Sequence, residues 1–573
     1  MTRPVTYGAL RSALERGSAA PRAVLFALVL CAGTPAPAAA SLRATLNNVE
    51  RLIDQWQIQE AAALLAPLLH SASNHPRVLQ LQGEILINQG EYRKAHDTLK
   101  QAVRASRSSL PLKALRDLAG STADTVKGHV KHVSQGGHFE IWTTRGKDEL
   151  LVPFAGETLE ATRAALERDL GYAPARPVRV EIYASAEDLA RVSPLTVAEI
   201  KRSGTIALCK FNRLMAVTPR ALLRGYSWRD TLAHEYVHLV ITKLSHNAVP
   251  IWLHEGLAKF FEGRWRLPPG EVAPLAPVQE HLLASALRGH RLIRWEQMHP
   301  SMAKLPSQEA TALAFAQVET AVQFLADQVQ LVGLRRVLAL IRGGRGSWEA
   351  IRQVSGLDAR QFQNRWQRLL QGRNLRLLPD LVPPRLRFGK QPTAEKRLST
   401  VRESRAQRYL RLAELLRTRR RTRAAILEYE KARKILGPRN DLVANHLARA
   451  YLEIASPAQA IAALMPVLEY YPELPGPQVT MGIAYLRNHE PVLAQRHLQA
   501  ALRINPFNPE LHCSLARALG NDAPETTRTA KRAKRDQCAQ SEGASLECGA
   551  KRAKRDRARL HASLCTSLAQ VSD

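Results

Sequence analysis

The sequence predicts a mainly α-helical protein, with an α+β domain in the middle of the chain flanked on both sides by all-α helical repeats. Three observations carry this expectation. Between about 405 and 520 the chain repeats itself every 34–35 residues. A shorter stretch at 42–106 carries the same pattern. The segment 119–380 does not repeat, and it mixes two-residue alternation with helical periodicity. The whole chain has 573 residues, of which 45% are hydrophobic and 23% charged, which excludes global disorder and collagen-like structure. Six cysteines are too few for a disulfide-stapled scaffold. With 82 Lys and Arg against 51 Asp and Glu, the net charge of +31 favours anionic partners and says nothing about fold.

Residues 1–40 read as a secretory signal peptide. Arg3, Arg11, Arg16 and Arg22 form a basic leader, and an apolar run from Ala23 to Ala32 follows. That run is far shorter than the roughly 20 residues needed to cross a bilayer as a helix. Ala38-Ala39-Ala40 supplies an A-x-A cleavage pattern, so a mature N-terminus at Ser41 is expected. Cys31 is preceded by Leu30 rather than a small residue, which argues against lipidation. Export to the periplasm or the extracellular space follows. Five cysteines then remain, an odd number, so at least one lacks an internal partner; Cys538 and Cys548 are close enough in sequence to be a candidate pair.

Residues 41–118 are expected to be an N-terminal helical array. Gly83, Leu86, Gly90, Ala95, Leu99 and Ala102 fit one two-helix repeat, and Ala61, Leu65 and Leu68 stand 34 residues before Ala95, Leu99 and Ala102. From 119 the character changes. The segments 139–144 and 178–183 alternate like strands, and 205–209 and 214–217 read as another pair. Between them, 157–170 has helical spacing with Gly171 as its stop. Ser227 and Asp230 form a helix-start pattern.

The helix that begins there carries His234-Glu235-x-x-His238. Residues four apart lie about 40° apart around a helix, so the two imidazoles project from one face and can share one Zn²⁺. Glu235 sits beside them, where a carboxylate can take a proton from metal-bound water. Pro250, Trp252, Leu253, Glu255, Gly256, Leu257 and Ala258 then form a second helical signature, with Glu255 seventeen residues after His238. The two motifs together resemble the glutamate-zincin metallopeptidases, in the peptidase MA-like branch. The resemblance implies a zincin-like peptidase domain over 119–380, with His234, His238 and Glu255 as zinc ligands and Glu235 as catalytic base. Segments around Ala312–Gln317, Val322–Leu325, Gly333, Trp348, Phe362 and Trp366 look like the C-terminal helices of that branch. One departure is Phe315, where the family often has Tyr; the group that would stabilise an oxyanion is therefore unassigned, with His299, Tyr183 and Tyr226 as candidates. His254, next to Glu255, points about 100° away and is expected to support the site rather than ligate. Tyr236 faces away from the histidines and is expected in packing.

After a basic linker at 381–404 come the repeats of 405–520. Ala425, Ala460 and Ala494 recur in register, as do Leu412-Ala413, Leu447-Ala448, Met481-Gly482 and Leu515-Ala516. Pro472 and Pro506 close two units. This resembles the tetratricopeptide repeat, three units with a capping helix, an architecture that usually binds peptides or proteins. The window 341–440 holds 26 Lys and Arg against 8 Asp and Glu. The basic tail at 521–573 contains Lys-Arg-Ala-Lys-Arg-Asp twice, at 531–536 and 551–556. Its candidate partner is an anionic envelope surface. No specific nucleic-acid partner is expected, because no recognition module accompanies the charge and aromatics are 5% of the chain.

Two functions remain open from the residues. One is an exported zinc-dependent metallopeptidase that hydrolyses peptide bonds, with the repeats recruiting protein substrates or partners. The other is a non-catalytic envelope scaffold in which zinc is structural. Glu235 favours the first, since a structural site has no use for a carboxylate in that position.

Overall fold

The computed structural model describes residues 37–106, 109–389, 398–520 and 546–570. The signal-peptide segment to residue 36, the first basic hexapeptide and Cys538 lie outside the described residues. The chain forms two compact units. The first comprises residues up to 218 with 231–274 and 285–375, and the second comprises 219–230, 275–284 and 376 onward. The segment 41–118, expected as a separate array, therefore falls in the same unit as the sheet.

The first unit opens with α1 (Pro37–Asp54), α2 (Ile58–Ser71), α3 (Pro76–Asn88), α4 (Tyr92–Ala105) and α5 (Leu110–Thr125). Val49, Ile58, Ala61, Leu65, Val78 and Leu81 are fully buried between the first helices. Gly83 marks a close crossing, since a Cβ there would meet Leu99 Cγ at 2.4 Å.

The sheet has strands β1 (His129–Val133), β2 (Phe139–Thr144), β3 (Val178–Tyr183), β4 (Ala207–Lys210) and β5 (Arg213–Val217), in the spatial order β1-β2-β3-β5-β4. Strands β2, β3 and β5 run parallel, and the two edges, β1 and β4, are antiparallel to their neighbours. The alternation at 139–144 and 178–183 matches strand bounds to the residue. β1 was not legible, because His129–Val133 is a half-exposed edge strand with no clean apolar alternation. Helix α6 (Leu151–Leu170) ends at Gly171, whose φ of +72° is the left-handed conformation a helix stop requires.

One buried cluster ties the helical array to the sheet. Glu181 on β3 accepts a hydrogen bond from the Tyr92 hydroxyl at 2.6 Å and a second from Tyr183. Its carboxylate pairs with Arg179 at 2.5 Å and Arg213 at 3.2 Å. Burial opposes this charge, but the two guanidiniums and two hydroxyls outweigh it and hold the Glu181 carboxyl at about 2. A lone carboxylate could not be buried there; four partners make it possible.

Past α7 (Ala186–Val192) and α8 (Val197–Ser203), helices α9 (Trp228–Ser245) and α10 (Ile251–Phe261) carry the motifs. After α11 (Pro277–Arg288), helix α12 (Gln308–Arg342) is broken at Gln330, where φ is +58°. Helices α13 (Ser347–Ser355) and α14 (Ala359–Gly372) complete the unit.

The second unit is mainly a stack of successive helices, each packed on the next: α15 (Ser404–Thr418), α16 (Thr422–Leu436), α17 (Asp441–Glu453), α18 (Pro457–Tyr470), α19 (Pro475–Arg487), α20 (Pro491–Ile504) and α21 (Pro509–Ala518). Ala425, Ala460 and Ala494 are fully buried at the crossings. A Cβ on Gly482 would meet Leu498 Cγ at 2.5 Å, the same relation as Gly83 to Leu99 and at the same sixteen-residue spacing. The pattern Leu447, Met481, Leu515 is buried, but the corresponding Leu412 is 45% exposed. A last helix, α22 (Leu546–Gln570), returns onto α21 and is joined to it by a Cys513–Cys565 disulfide. Of the remaining cysteines, Cys209 is free.

Candidate metal centre

Helix α9 presents His234 and His238 one turn apart, with Glu235 next to His234, and α10 brings Glu255 to meet the two histidines. Glu255 Oε2 lies 3.4 Å from His234 Nε2 and 3.2 Å from His238 Nε2. One ligand atom from each of the three residues lies within 4.8 Å of the others. The two imidazole rings stand edge to face, with centroids 4.6 Å apart. Burial disfavours charge on His234, but Glu255 and Glu262 outweigh it and raise its pKa to about 10. Glu255 is correspondingly pushed well below the carboxylate range, its burial overcome by His238 and His234.

Why α10 comes this close is visible at Gly256. A Cβ there would stand 2.6 Å from Val322 Cγ2 and 2.7 Å from the Val318 carbonyl oxygen of α12. Only glycine lets the backbones approach, so the glycine after Glu255 sets the depth at which Glu255 is presented. One turn before Gly256, Trp252 stacks on Trp348 at 4.9 Å and contacts Trp295 at 5.1 Å, contacts that hold the rotation of the helix.

Glu235 is 7% exposed. Its carboxylate accepts the backbone N–H of Cys209, on the edge strand β4. Burial raises its pKa, with His238 and His234 opposing the rise. It is therefore a buried carboxylate held beside the cluster and outside the set of three possible ligands.

One supporting residue was missed from the sequence. Glu262 caps the C-terminus of α10 and accepts from His234 Nδ1 at 3.0 Å, while Lys259 pairs with its other oxygen. Glu262 lies seven residues after Glu255, so the two share a helix face; that spacing was the available signal. The contact orients His234 with Nε2 toward the cluster. His254 stays out of the donor set. Its ring stacks on His238 at 4.5 Å and its Nε2 meets the Thr242 hydroxyl at 3.2 Å. Burial, with His238 beside it, lowers the His254 pKa to about 3 and keeps it neutral. Phe315 stands edge-on to His234 at 6.1 Å, so the position reaches the site but offers no donor. Tyr183 is committed to Glu181, Tyr226 belongs to the second unit, and His299 lines a cavity with Trp252, Trp295 and Trp348. Tyr236 is buried against Phe139, as its position on α9 suggested.

A five-stranded mixed sheet with a His-x-x-x-His helix and a glutamate from the next helix defines an α+β domain with a candidate metal site of the kind found in metallopeptidases. Residues 158–372 match the Peptidase MA superfamily, and the chain carries a domain of that superfamily. A search of curated proteins finds no match. Two solved structures are similar at 11% identity. The APC/C hetero-tetramer Cut9-Hcn1 aligns over 93% of this chain and 89% of its own, with a TM-score of 0.23. Yeast LTA4 hydrolase in complex with bestatin aligns over 68% of this chain, with a TM-score of 0.26, and the chain spans 64% of the hydrolase.

Proposed function

We propose that the protein is an exported zinc-dependent metallopeptidase. The observation that carries this is the convergence of His234, His238 and Glu255 with Glu235 held just outside them. Two neutral imidazole nitrogens and one carboxylate oxygen suit Zn²⁺, and three protein ligands leave a position for the reaction. The fit is supported by Glu262, which fixes His234 in the orientation a ligand needs. When bound, such a cation supplies the Lewis acidity that acidifies water and polarises a peptide carbonyl.

The remaining work falls to the chain's own residues. Glu235 takes up the proton at its carboxylate and delivers it to the leaving amine. The Cys209 N–H holds that carboxylate in place, and burial strengthens its hold on the proton. The helical repeats recruit protein substrates or partners. The Cys513–Cys565 disulfide supports export, since such bonds persist in oxidising compartments.

A second reading is a non-catalytic scaffold with a structural zinc, favoured by Phe315, which puts no hydrogen-bond donor beside His234. Glu235→Gln separates the two. Gln keeps the size and leaves the three ligands, so zinc should remain near one per chain while peptide hydrolysis falls by about 100-fold or more. Zinc content and cleavage are measured on the same preparation. Undiminished cleavage removes Glu235 as the base, and a wild-type protein that binds zinc without cleaving any peptide supports the scaffold.

A further inference from the structure

We propose that the C-terminal helix α22 is a rigidly mounted docking element for anionic, phosphate-bearing lipid surfaces. Residues 552–557 are all exposed, so every side of the helix faces solvent there. Burial begins at Ala558, which is 2% exposed, and continues at His561. Ala558, His561 and Cys565 are spaced i, i+3, i+7 and form the stripe that packs on α21. On the same helix Arg552, Arg555 and Arg559 repeat that spacing, about 120° around from the packed stripe. These three guanidiniums therefore line one side of the helix and point away from its support. No carboxylate among the described residues pairs with any of them. Over 552–559 five basic residues face one acid, Asp556.

The mounting of α22 is firm. Cys513–Cys565 bonds α22 to α21. Next to it the buried His512 and His561 meet Nδ1 to Nδ1 at 2.8 Å, and His512 Nε2 donates to the Pro506 carbonyl at 2.6 Å. The base is thus locked by a covalent bond and a hydrogen-bonded pair, while the basic half projects.

The chemistry selects the partner. Arginine forks bind phosphate oxygens in pairs, and a one-sided stripe suits a flat anionic layer. The stripe contains no large apolar residue to insert, so attachment is electrostatic and salt-sensitive. Nucleic acid offers the same phosphates. The choice of lipid over nucleic acid rests on the proposed export, which the disulfide supports independently.

The test is vesicle co-sedimentation of the purified, oxidised full chain; it reads neither cleavage nor compartment, so it fails or succeeds separately from the peptidase assignment. Vesicles of phosphatidylcholine with phosphatidylglycerol are compared with phosphatidylcholine alone, at low and high salt. Binding is expected only with the anionic lipid, and it should be lost at high salt. Replacing Arg552, Arg555 and Arg559 together by Gln should weaken it roughly 100-fold, from about tenfold or less per basic residue. Replacing Arg419, Arg420 and Arg421 by Gln removes the same charge elsewhere and should change it far less. Equal losses from the two triple variants, or equal binding to zwitterionic vesicles, would overturn the proposal. So would a duplex oligonucleotide that binds more tightly than the vesicles at the same salt, which would make nucleic acid the ligand.

Discussion

Replacing Gly256 by Ala adds one methyl group at the contact that positions Glu255. The methyl carbon would stand 2.7 Å from the Val318 carbonyl oxygen and 2.6 Å from Val322 Cγ2, where Cβ atoms come no closer than 3.0 Å and ordinary contact begins at 3.4 Å. Val322 can rotate, but the Val318 carbonyl is backbone in the middle of α12. Helix α10 must therefore retreat by about 0.3 to 0.7 Å, carrying Glu255 with it. Metal ligation tolerates errors of only about 0.2 Å. Overpacking of this kind costs about 1–3 kcal/mol in stability. The loss in zinc affinity should be about 10- to 100-fold, the scale seen when supports of metal ligands are disturbed. Affinity is measured by competition with a chromogenic chelator, and stability by thermal melting with and without zinc. If the Ala variant binds zinc as tightly as wild type while melting normally, the contact at Gly256 does not set the position of Glu255. The account of that glycine then fails.

Three further outcomes follow from other parts of the fold. Glu262→Gln keeps an acceptor for His234 but removes the charge, so zinc affinity should drop about tenfold or more by chelator competition; an unchanged affinity would reduce Glu262 to a helix-end contact. Glu181 has a pKa lowered to about 2, so its contribution is fully present above the unfolded carboxylate value of about 4.3 and is lost as pH falls from there through about 2. Glu181→Gln leaves Arg213 buried without its charge partner and should cost about 3–5 kcal/mol near neutrality, with a shallower decline in acid, followed by denaturant unfolding against pH. Ala494→Phe should overpack the crossing in the second unit by about 1–3 kcal/mol, lowering its melting transition while zinc content stays at the wild-type level.

The sequence by itself determined the elements that rest on periodicity and spacing. The 34-residue recurrence located the buried alanines, because a repeat must place the same small residue at each helix crossing. The alternation of 139–144 gave a strand with one buried face, and that of 178–183 a strand whose polar positions, Arg179 and Glu181, are also drawn into the packed interior. The spacing of His234 and His238 placed both on one helix face, since four residues make little more than one turn. What it left to tertiary structure were relations between residues remote in the chain or lacking a period. Glu181 reads as one polar residue in a strand, and only the packed fold surrounds it with Tyr92, Arg179 and Arg213. Cys513 and Cys565 pair because α22 folds back on α21, which no spacing rule gives. Glu262 was within reach as the seventh residue after Glu255, but its role depends on which nitrogen of His234 turns toward it. Gly256 stood in the motif from the start; the reason for it is the 2.7 Å to a carbonyl on another helix, a distance fixed only when the two helices pack.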